Sequence, residues 1–343
     1  MSAIVAFCRR RILWLIPIGV CLLLIAPMAF TQRTFAPDWT GHVWMVWQQK
    51  LNIQDLGLPS YFIENKELGA FYPFFAFYGT NIYALGGLLA IPLGSINAVI
   101  VLYFAAFLAA YCGWTWLSIQ AGLHGLAAYL PGCIALTAPF VITTAYGRGD
   151  LAETVATSMI PVIAASSVSI FRADRLRAGP VAAFVFSIAI LTGSHTLTLL
   201  WGSTYMLGAA AIAALAWPEV IRARTRSLLR VAGLAVVGTG ISLWFLVPLL
   251  AYSHKTVIGE EPTAIAGYEY TSLGELLRPF RSAPQQPPAG FADIQSQLPV
   301  LALVLAVGLL ALSWRRLPPA RRRLAVGLTA LLGLVVLLAA TPS

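Results

Sequence analysis

The sequence predicts an all-α polytopic membrane protein with about nine transmembrane helices and with juxtamembrane or re-entrant helices in its first external loop. Hydrophobic residues make up 59% of the chain, charged residues only 10%, and the mean hydropathy is +0.80. So few charges could not cover the surface of a soluble domain of 343 residues. Several apolar runs also reach the roughly 20 residues needed to cross a hydrocarbon core of about 30 Å. Residues 1–343 are therefore predicted to form a single membrane domain.

The apolar runs predict the spans in chain order. The first run, 12–30, follows three arginines, as in a signal peptide. It is longer than the apolar run of a signal peptide and no clear cleavage site follows it, so it is predicted to remain as a span. The others are 97–117, 125–145, 152–171, 179–195, 197–216, 230–251, 297–313 and 324–341. The stretch 72–94 is also apolar, but it is interrupted by prolines and glycines, and whether it crosses decides the topology.

Charge favours a stretch 72–94 that does not cross. In that case 15 of the 22 basic residues fall on one side, in the clusters 9–11, 172–177, 222–230 and 315–323, against only Asp174 and Glu219. Cytoplasmic loops carry such an excess of Lys and Arg, which predicts a cytoplasmic N-terminus. The net charge of +9 then reflects orientation and contact with the lipid bilayer. No nucleic-acid-binding motif is present, so no nucleic-acid partner is predicted.

The outer surface is then predicted to consist of four segments. The first external loop, 31–96, is the longest polar region near the N-terminus, and 146–153 and 193–196 are short turns. The fourth segment, 252–296, is rich in proline near 284–288 and is predicted to be a flexible external loop that closes over a substrate.

Asp38 and His42, in the motif P-D-W-T-G-H, are the leading candidate catalytic residues. Four residues apart, they share one helical face, and ionisable groups at a membrane boundary are candidates for chemistry on a lipid-linked substrate. Asp38 could instead be only the N-cap of a helix that starts at this point. An apolar stripe is predicted on that helix, opposite Asp38, His42 and Gln49, as in a helix lying in the membrane plane; its members are Trp39, Val43, Val46, Trp47 and Leu51.

The turn Y-G-R-G-D-L-A-E at 146–153 holds the second group of candidates. Asp150 followed by Glu153 predicts a capping box at the start of the next span. Glycines on both sides of Arg148 would let its backbone approach a ligand, and arginine binds phosphate through paired, charge-assisted hydrogen bonds. Arg148 could equally pair with Asp150 or Glu153, or contact lipid headgroups.

His195, in the turn G-S-H-T, is a third candidate, although a hydrogen-bonded packing role is the more common fate of such a histidine. His42, His195 and His254 all fall on the predicted outer side, so a zinc site is formally available. Their spacing matches no zinc signature.

The motifs D-W-x-x-H, G-L-P-S-Y-F, Y-P-F-F-A-F-Y-G and Y-G-R-G-D-L-A-E resemble those of the bacterial 6-pyruvoyl-tetrahydropterin synthase-related membrane proteins, which are similar to GT-C glycosyltransferases. The resemblance implies a multi-pass protein of the bacterial cytoplasmic (inner) membrane that takes a sugar from a polyprenyl-phosphate carrier. It aligns Asp38 with an acidic residue of the family's first external loop. It aligns Asp150 or Glu153 with an acidic residue of the next external loop. Members of this family are usually longer, so the resemblance also implies a C-terminus shorter than is usual there.

Two alternative functions are predicted for these residues. In the first, a glycosyltransferase uses Asp38 as general base and His42 to orient that carboxylate or the acceptor. Arg148 neutralises the departing phosphate, and Asp150 or Glu153 holds a divalent cation such as Mg²⁺ or Mn²⁺. Its partners would be a polyprenyl-phosphate sugar and a glycan acceptor. In the second, a non-enzymatic lipid-glycan transporter or assembly partner binds the headgroup without breaking bonds. The enzyme requires Asp38 and the Asp150/Glu153 pair to converge on one outward cavity.

Overall fold

The computed structural model describes residue 13 and residues 15–31, 37–65, 70–255 and 300–340. Its helices are α1 (Leu15–Thr31), α2 (Pro37–Leu56), α3 (Thr80–Leu93), α4 (Ser95–Gln120), α5 (Leu130–Leu136), α6 (Pro139–Ile142), α7 (Leu151–Arg172), α8 (Ala178–Thr192), α9 (Thr196–Ala216), α10 (Pro218–Ala223), α11 (Thr225–Ile241), α12 (Leu243–Tyr252), α13 (Val300–Ser313) and α14 (Pro319–Ala340). A small antiparallel hairpin, β1 (Ile63–Asn65) and β2 (Ala70–Tyr72), interrupts them. Single turns of 3₁₀ helix lie at Phe74–Ala76, Gly125–Ala128, Ser253–Lys255 and Trp314–Arg316, and a π-helix at Thr143–Arg148. The predicted helical class is confirmed.

The number of helices able to cross a membrane is smaller than predicted. Among the described residues, α4, α7 and α9 are long and apolar enough, by length and composition. Two bent pairs raise the number to five if each forms one span. Helices α1, α3 and α8 are apolar but shorter. Nine spans are therefore not established, and a multi-pass membrane protein with three to five candidate spans is what these helices support. Of the predicted external loop 252–296, everything from residue 256 onward lies outside the described residues.

Two predicted spans are broken, and proline accounts for the first break. The run 125–145 bends by 55° where Ala138 takes an extended conformation before Pro139, since a residue that precedes proline avoids the α region. The run 230–251 bends by 72° between α11 and α12. Inside α12, Pro248 has no N–H to donate to the carbonyl of Trp244. The hydroxyl of Tyr61 donates to that carbonyl instead, which ties the broken helix to the first loop.

The core forms where α4 packs against α7. Gly113 faces the backbone of α7, and a Cβ there would lie 2.7 Å from Val162 N and 2.9 Å from Pro161 C. Only glycine therefore allows this separation between the two helices. The largest fully buried side chains of α4 are Tyr103, Phe107 and Tyr111. The rest of the bundle is built around this pair, and the described helices α9, α13 and α14 expose mostly apolar side chains.

Helix α2 differs from the predicted surface helix in two ways. It begins at Pro37, so Asp38 lies in the first turn rather than at the N-cap. Its polar residues do not face away from its apolar ones, because His42 and Gln49 are buried together with Trp39 and Val46. The cause is close packing on α3, where a Cβ at Gly87 would lie 2.8 Å from the backbone of Gln49. The predicted separation of one apolar stripe from a polar face is therefore wrong, since His42 and Gln49 point into the protein. The position of α2 relative to a membrane stays a prediction.

The two ends of the bundle are chemically different. We call the end that holds Arg148, Asp150, Glu153 and His195 the acidic end. Helix α3 starts at this end, where Asn81 N–H donates to Gly193 O at 2.9 Å, and it leads directly into the start of α4. The start of α4 also lies at the acidic end. The C-terminal end of α4 contacts the last turns of α7, and these lie at the opposite end of the bundle because α7 begins at the acidic end. Both ends of α3 are thus on one side, which supports a 72–94 segment that does not cross; its place relative to a bilayer stays a prediction.

The opposite end, which we call the arginine end, collects the described basic clusters. Arg172 donates to Gln120 O at 2.7 Å, Arg224 to Arg172 O at 2.8 Å and Arg230 to Asp174 O at 3.1 Å. Helix α14 runs antiparallel to α9, with its Gly327 against Ile212, so its first turn, with three further arginines, also lies there. This separation matches the predicted charge asymmetry. The cluster at 9–11 lies outside the described residues.

Candidate functional site

The candidate site is built where the chain passes from the π-helix into α7. Gly149 has a φ of 75°, in the left-handed region that glycine adopts without steric cost. This turn lets Asp150 start α7 as its N-cap, with Oδ1 accepting from Glu153 N–H at 2.8 Å. The predicted cap at Asp150 is confirmed. The Glu153 side chain, however, turns toward Arg148 instead of back to the Asp150 backbone, so the capping box is not closed.

Arg148 joins three carboxylates. Its Nη1 donates to Glu153 Oε2 at 2.7 Å and its Nη2 to Asp150 Oδ2 at 3.0 Å. Its third nitrogen, Nε, lies 3.5 Å from Asp38 Oδ2. The structure thus brings Asp38 together with the Asp150/Glu153 pair, through the arginine that lies between them. The pairing of Arg148 with Asp150 and Glu153, which the sequence left open, is what the structure shows.

The cluster carries an excess of negative charge. Three carboxylates face one guanidinium, which leaves two formal negative charges without a partner. The two nearby histidines do not offset them, because burial lowers the pKa of both His42 and His195 and keeps the rings neutral. Asp150 is 1% exposed and Glu153 15%, so water screens the excess poorly.

His42 lies beneath this cluster and is 2% exposed. Its Nδ1 is 2.5 Å from the Tyr83 hydroxyl, and its ring lies nearly parallel to those of Tyr78 and Tyr83, at centroid distances of 6.4 and 5.9 Å. Its Nε2 has no hydrogen-bond partner among the described residues and lies 3.6 Å from Asp150 Oδ1. His42 therefore does not contact Asp38, because the helical twist of α2 carries the ring inward, against Asp150, while Asp38 stays near the surface. Orientation of an acceptor by His42 stays a prediction.

His195 is the N-cap of α9. Its Nδ1 accepts from Thr198 N–H at 3.2 Å and lies 2.8 Å from the Thr198 hydroxyl. The turn that carries it is fixed by Asn81, whose Nδ2 donates to Ala189 O at 2.9 Å and whose backbone N–H donates to Gly193 O. Asn81 Oδ1 also accepts from Trp244 Nε1, so the first loop, the α8–α9 turn and the broken helix share one polar centre.

Three of these side chains could hold a metal ion. One carboxylate oxygen of Asp150, one of Glu153 and one ring nitrogen of His195 all lie within 4.8 Å of one another. This group adds His195 to the predicted pair of cation ligands. The three-histidine zinc site is not formed, since of His42, His195 and His254 only His195 belongs to the group found among the described residues.

A cavity of about 400 Å³ opens beside the cluster, between α7 and α9. Its polar head is formed by Arg148, Glu153, His195 and Thr198, and its walls are Phe140, Thr157, Ile160, Leu197, Trp201, Gly202 and Tyr205. Both flanking helices are candidate membrane spans. Asp38 and His42 do not line this cavity. Asp38 contacts the cluster through Nε of Arg148 and is 43% exposed.

The sequence analysis gave no role to three residues around this site. Tyr78, Asn81 and Tyr83 lie within six consecutive positions, Y-G-T-N-I-Y. The available signal was an asparagine and two tyrosines in an otherwise apolar stretch, since buried polar groups need partners.

Comparison of the chain with protein-family models, with curated proteins and with solved structures gives no match.

Proposed function

We propose that this protein is a membrane glycosyltransferase that transfers a sugar from a polyprenyl-phosphate donor to a glycan acceptor at the outer face of the bacterial cytoplasmic membrane. The observation that carries the proposal is the cavity between α7 and α9. Its head is polar and contains Arg148, while its walls are apolar and belong to two helices suited to a bilayer. A ligand with a charged headgroup and a hydrocarbon tail matches this division.

The walls indicate a chain rather than a compact apolar ligand. They extend along α7 from Glu153 to Ile160 and along α9 from Leu197 to Tyr205, which is about 11–12 Å at 1.5 Å per residue. Trp201 and Leu197 are more than half exposed, as expected for side chains that meet lipid or a lipid tail. Gly202 lies against Ile160, at the end of the α7 wall farther from Glu153, and keeps the two helices close there.

In the proposed reaction the acceptor hydroxyl approaches from the exposed side of Asp38. The proton of this hydroxyl passes to the Asp38 carboxylate as its oxygen forms a bond to the anomeric carbon. The bond from that carbon to the phosphate oxygen breaks, and its electron pair leaves with the polyprenyl phosphate. Arg148, placed between Asp38 and the cavity head, stabilises the departing charge. Attack and departure on opposite faces invert the anomeric centre.

His42 has an indirect role in this scheme. It contacts Asp150 and Tyr83 rather than Asp38, so it positions the Asp150 carboxylate that in turn holds Arg148. We class it as a positioning residue. The three carboxylates share Arg148, so a change at any one of them alters how the guanidinium is held.

The test is sugar transfer from a radiolabelled polyprenyl-phosphate donor in membranes that contain the full chain, with Asp38→Asn as the variant. Asn still accepts a hydrogen bond from Arg148 but cannot take a proton, so transfer should fall about 10²-fold or more. Asp55→Asn, at the exposed far end of the same helix, is the control and should transfer at the wild-type rate. Wild-type transfer by Asp38→Asn would remove the base assignment. Absence of transfer by the wild type would reject the reaction in favour of a transporter or assembly partner.

A further inference from the structure

The cap of α9 fixes which nitrogen of His195 carries the proton. Nδ1 accepts from the backbone N–H of Thr198 at 3.2 Å, so it holds a lone pair and not a hydrogen. The ring is neutral, because burial lowers the pKa of His195. A neutral imidazole carries its hydrogen on the nitrogen that is not an acceptor, which here is Nε2. Nε2 makes no hydrogen bond within the described part of the chain, so this N–H is free to bind a ligand.

Glu153 offers the complementary group. Its Oε2 accepts from Arg148 at 2.7 Å, which leaves Oε1 without a hydrogen-bond donor among the described residues. Glu153 and His195 both line the cavity, whereas Asp38 and Asp150 do not. The cavity head thus presents a free acceptor, which is a carboxylate oxygen, and a free donor, which is an imidazole N–H.

The spacing of the two side chains fits a hydroxyl group. A carboxylate oxygen of Glu153 and a ring nitrogen of His195 lie within 4.8 Å of each other. A hydroxyl oxygen that bonds two partners at a near-tetrahedral angle, with normal hydrogen-bond lengths, joins atoms roughly 4.6 Å apart. A hydroxyl also donates and accepts at once, as this pair requires, whereas an ionised phosphate oxygen only accepts and an ammonium group only donates.

The charge of the cluster favours the same kind of ligand. Asp38, Asp150 and Glu153 share the guanidinium of Arg148, which leaves two formal negative charges. A hydroxyl brings no further negative charge to Glu153, and it donates to the carboxylate in a charge-assisted hydrogen bond. A phosphate at the same place would be repelled, because water screens the site poorly. In a sugar phosphate the two groups are adjacent, so the phosphate can contact Arg148 while a sugar hydroxyl meets Glu153.

We infer that Glu153 and His195 form a hydroxyl-binding subsite at the head of the cavity, which selects a sugar headgroup by one of its ring hydroxyls. Glu153 accepts from this hydroxyl, and the Nε2–H of His195 donates to it. The subsite stands on the cavity and on the cap of α9. Only the assignment of the hydroxyl to the sugar of the polyprenyl-phosphate donor rests on the proposed function.

The test compares ligands with equal tails in the purified full chain, held in nanodiscs of phosphatidylcholine, a lipid without hydroxyls. The probes are the octyl glycosides of glucose, mannose, galactose and arabinose, and octyl tetrahydropyranyl ether, whose ring has no hydroxyls. Calorimetric titration gives each Kd after subtraction of empty nanodiscs. Wild type should bind at least one glycoside about 10-fold or more tightly than the ether, as expected of a hydrogen bond to a charged group. Equal affinities for all five probes would overturn the subsite.

His195→Asn separates the subsite from the helix cap. Asn caps a helix well, so the start of α9 should be kept, but its short side chain has no counterpart of the Nε2–H. The preference for the glycoside over the ether should fall about 5-fold or more. Retention of the wild-type preference, with a wild-type unfolding temperature, would show that His195 only caps α9 and would overturn the subsite.

Two further variants support this comparison. His124→Asn is the matched control, because it makes the same substitution at an exposed histidine in the turn after α4; it should leave the preference unchanged. Glu153→Gln keeps an acceptor for Arg148 but loses the charge that strengthens the bond to the hydroxyl, so it should also lower the preference. It replaces His195→Asn as the deciding variant if that protein does not fold, and an unchanged preference would then overturn the subsite.

Monodeoxy forms of the preferred glycoside identify the hydroxyl. Removal of the hydroxyl at one ring position should weaken binding by as much as His195→Asn. The deoxy glycoside and His195→Asn together should cost little more than either change alone, since both remove the same contact. Additive losses at every ring position would show that His195 contacts none of the hydroxyls and would overturn the subsite.

These outcomes are separable from those of the transfer assay. A glycoside preference in a protein that transfers no sugar would reject the proposed reaction and keep the subsite. Sugar transfer by a protein without any glycoside preference would reject the subsite and keep the reaction. Where transfer occurs, the preferred glycoside should compete with the polyprenyl-phosphate donor. Competition with the acceptor alone would reject the assignment of the hydroxyl to the donor.

Discussion

Replacing Arg148 by Gln should destabilise this protein more than any other single change of charge at the acidic end. The side chain makes two close contacts to carboxylates that are buried or nearly so, at 2.7 Å to Glu153 and 3.0 Å to Asp150. Without the guanidinium these carboxylates would lie in a poorly screened place with no counter-charge. Removing one partner from such a buried group costs about 3–5 kcal/mol. The Arg148–Asp38 contact is 3.5 Å long and the Asp38 side chain is 43% exposed, so its loss adds only about 0–1 kcal/mol to the cost in stability.

The assay is thermal unfolding of the purified protein in detergent with a chelator present, so that no metal ion replaces the lost charge. Arg148→Lys should lie between wild type and Arg148→Gln, since an ammonium keeps the charge but cannot direct separate N–H groups at three carboxylates. Arg222→Gln is the matched control, because Arg222 pairs with Glu219 at 3.6 Å where both side chains are more than three-quarters exposed. It should change stability by less than about 1 kcal/mol. An unfolding temperature for Arg148→Gln equal to that of Arg222→Gln would refute the reasoning.

Three further measurements test the fold. A cysteine at the exposed position Asn97 should react with a membrane-impermeant reagent in intact cells while one at Arg175 is protected; the reverse pattern would overturn the orientation. Gly113→Ala should destabilise by about 1–3 kcal/mol, because its Cβ would meet the α7 backbone at 2.7 Å, whereas Gly233→Ala, with open space around it, should not; equal effects would contradict the packing of α4 on α7. Burial holds the pKa of His42 below its ordinary value of 6.5, so the unfolded chain takes up a proton first and stability should fall as the pH drops through 6.5. In a chelator-containing buffer His42→Gln should lessen that fall, and an unchanged pH profile would show that another group causes it.

Much of the candidate site was visible in the sequence because its contacts are local. Arg148, Asp150 and Glu153 lie within six consecutive positions, so a glycine turn followed by an N-cap brings them together whatever the rest of the chain does. The separation of charge was equally visible, since every long apolar run must leave its charged flanks at one end of the bundle or the other. Composition alone fixed the helical membrane class.

The contacts between distant segments could not be derived in this way. Asp38 meets Arg148, and His42 meets Asp150, only because α2 packs on α3 closely enough to bury its polar face; hydrophobic periodicity suggested the opposite face. The tertiary structure likewise placed His195 beside Asp150 and left a cavity between α7 and α9. Which polar atoms share a site depends on helix rotation and separation. Those are set by side-chain packing across the whole bundle, whereas the sequence pattern of one helix shows only which of its residues share a face.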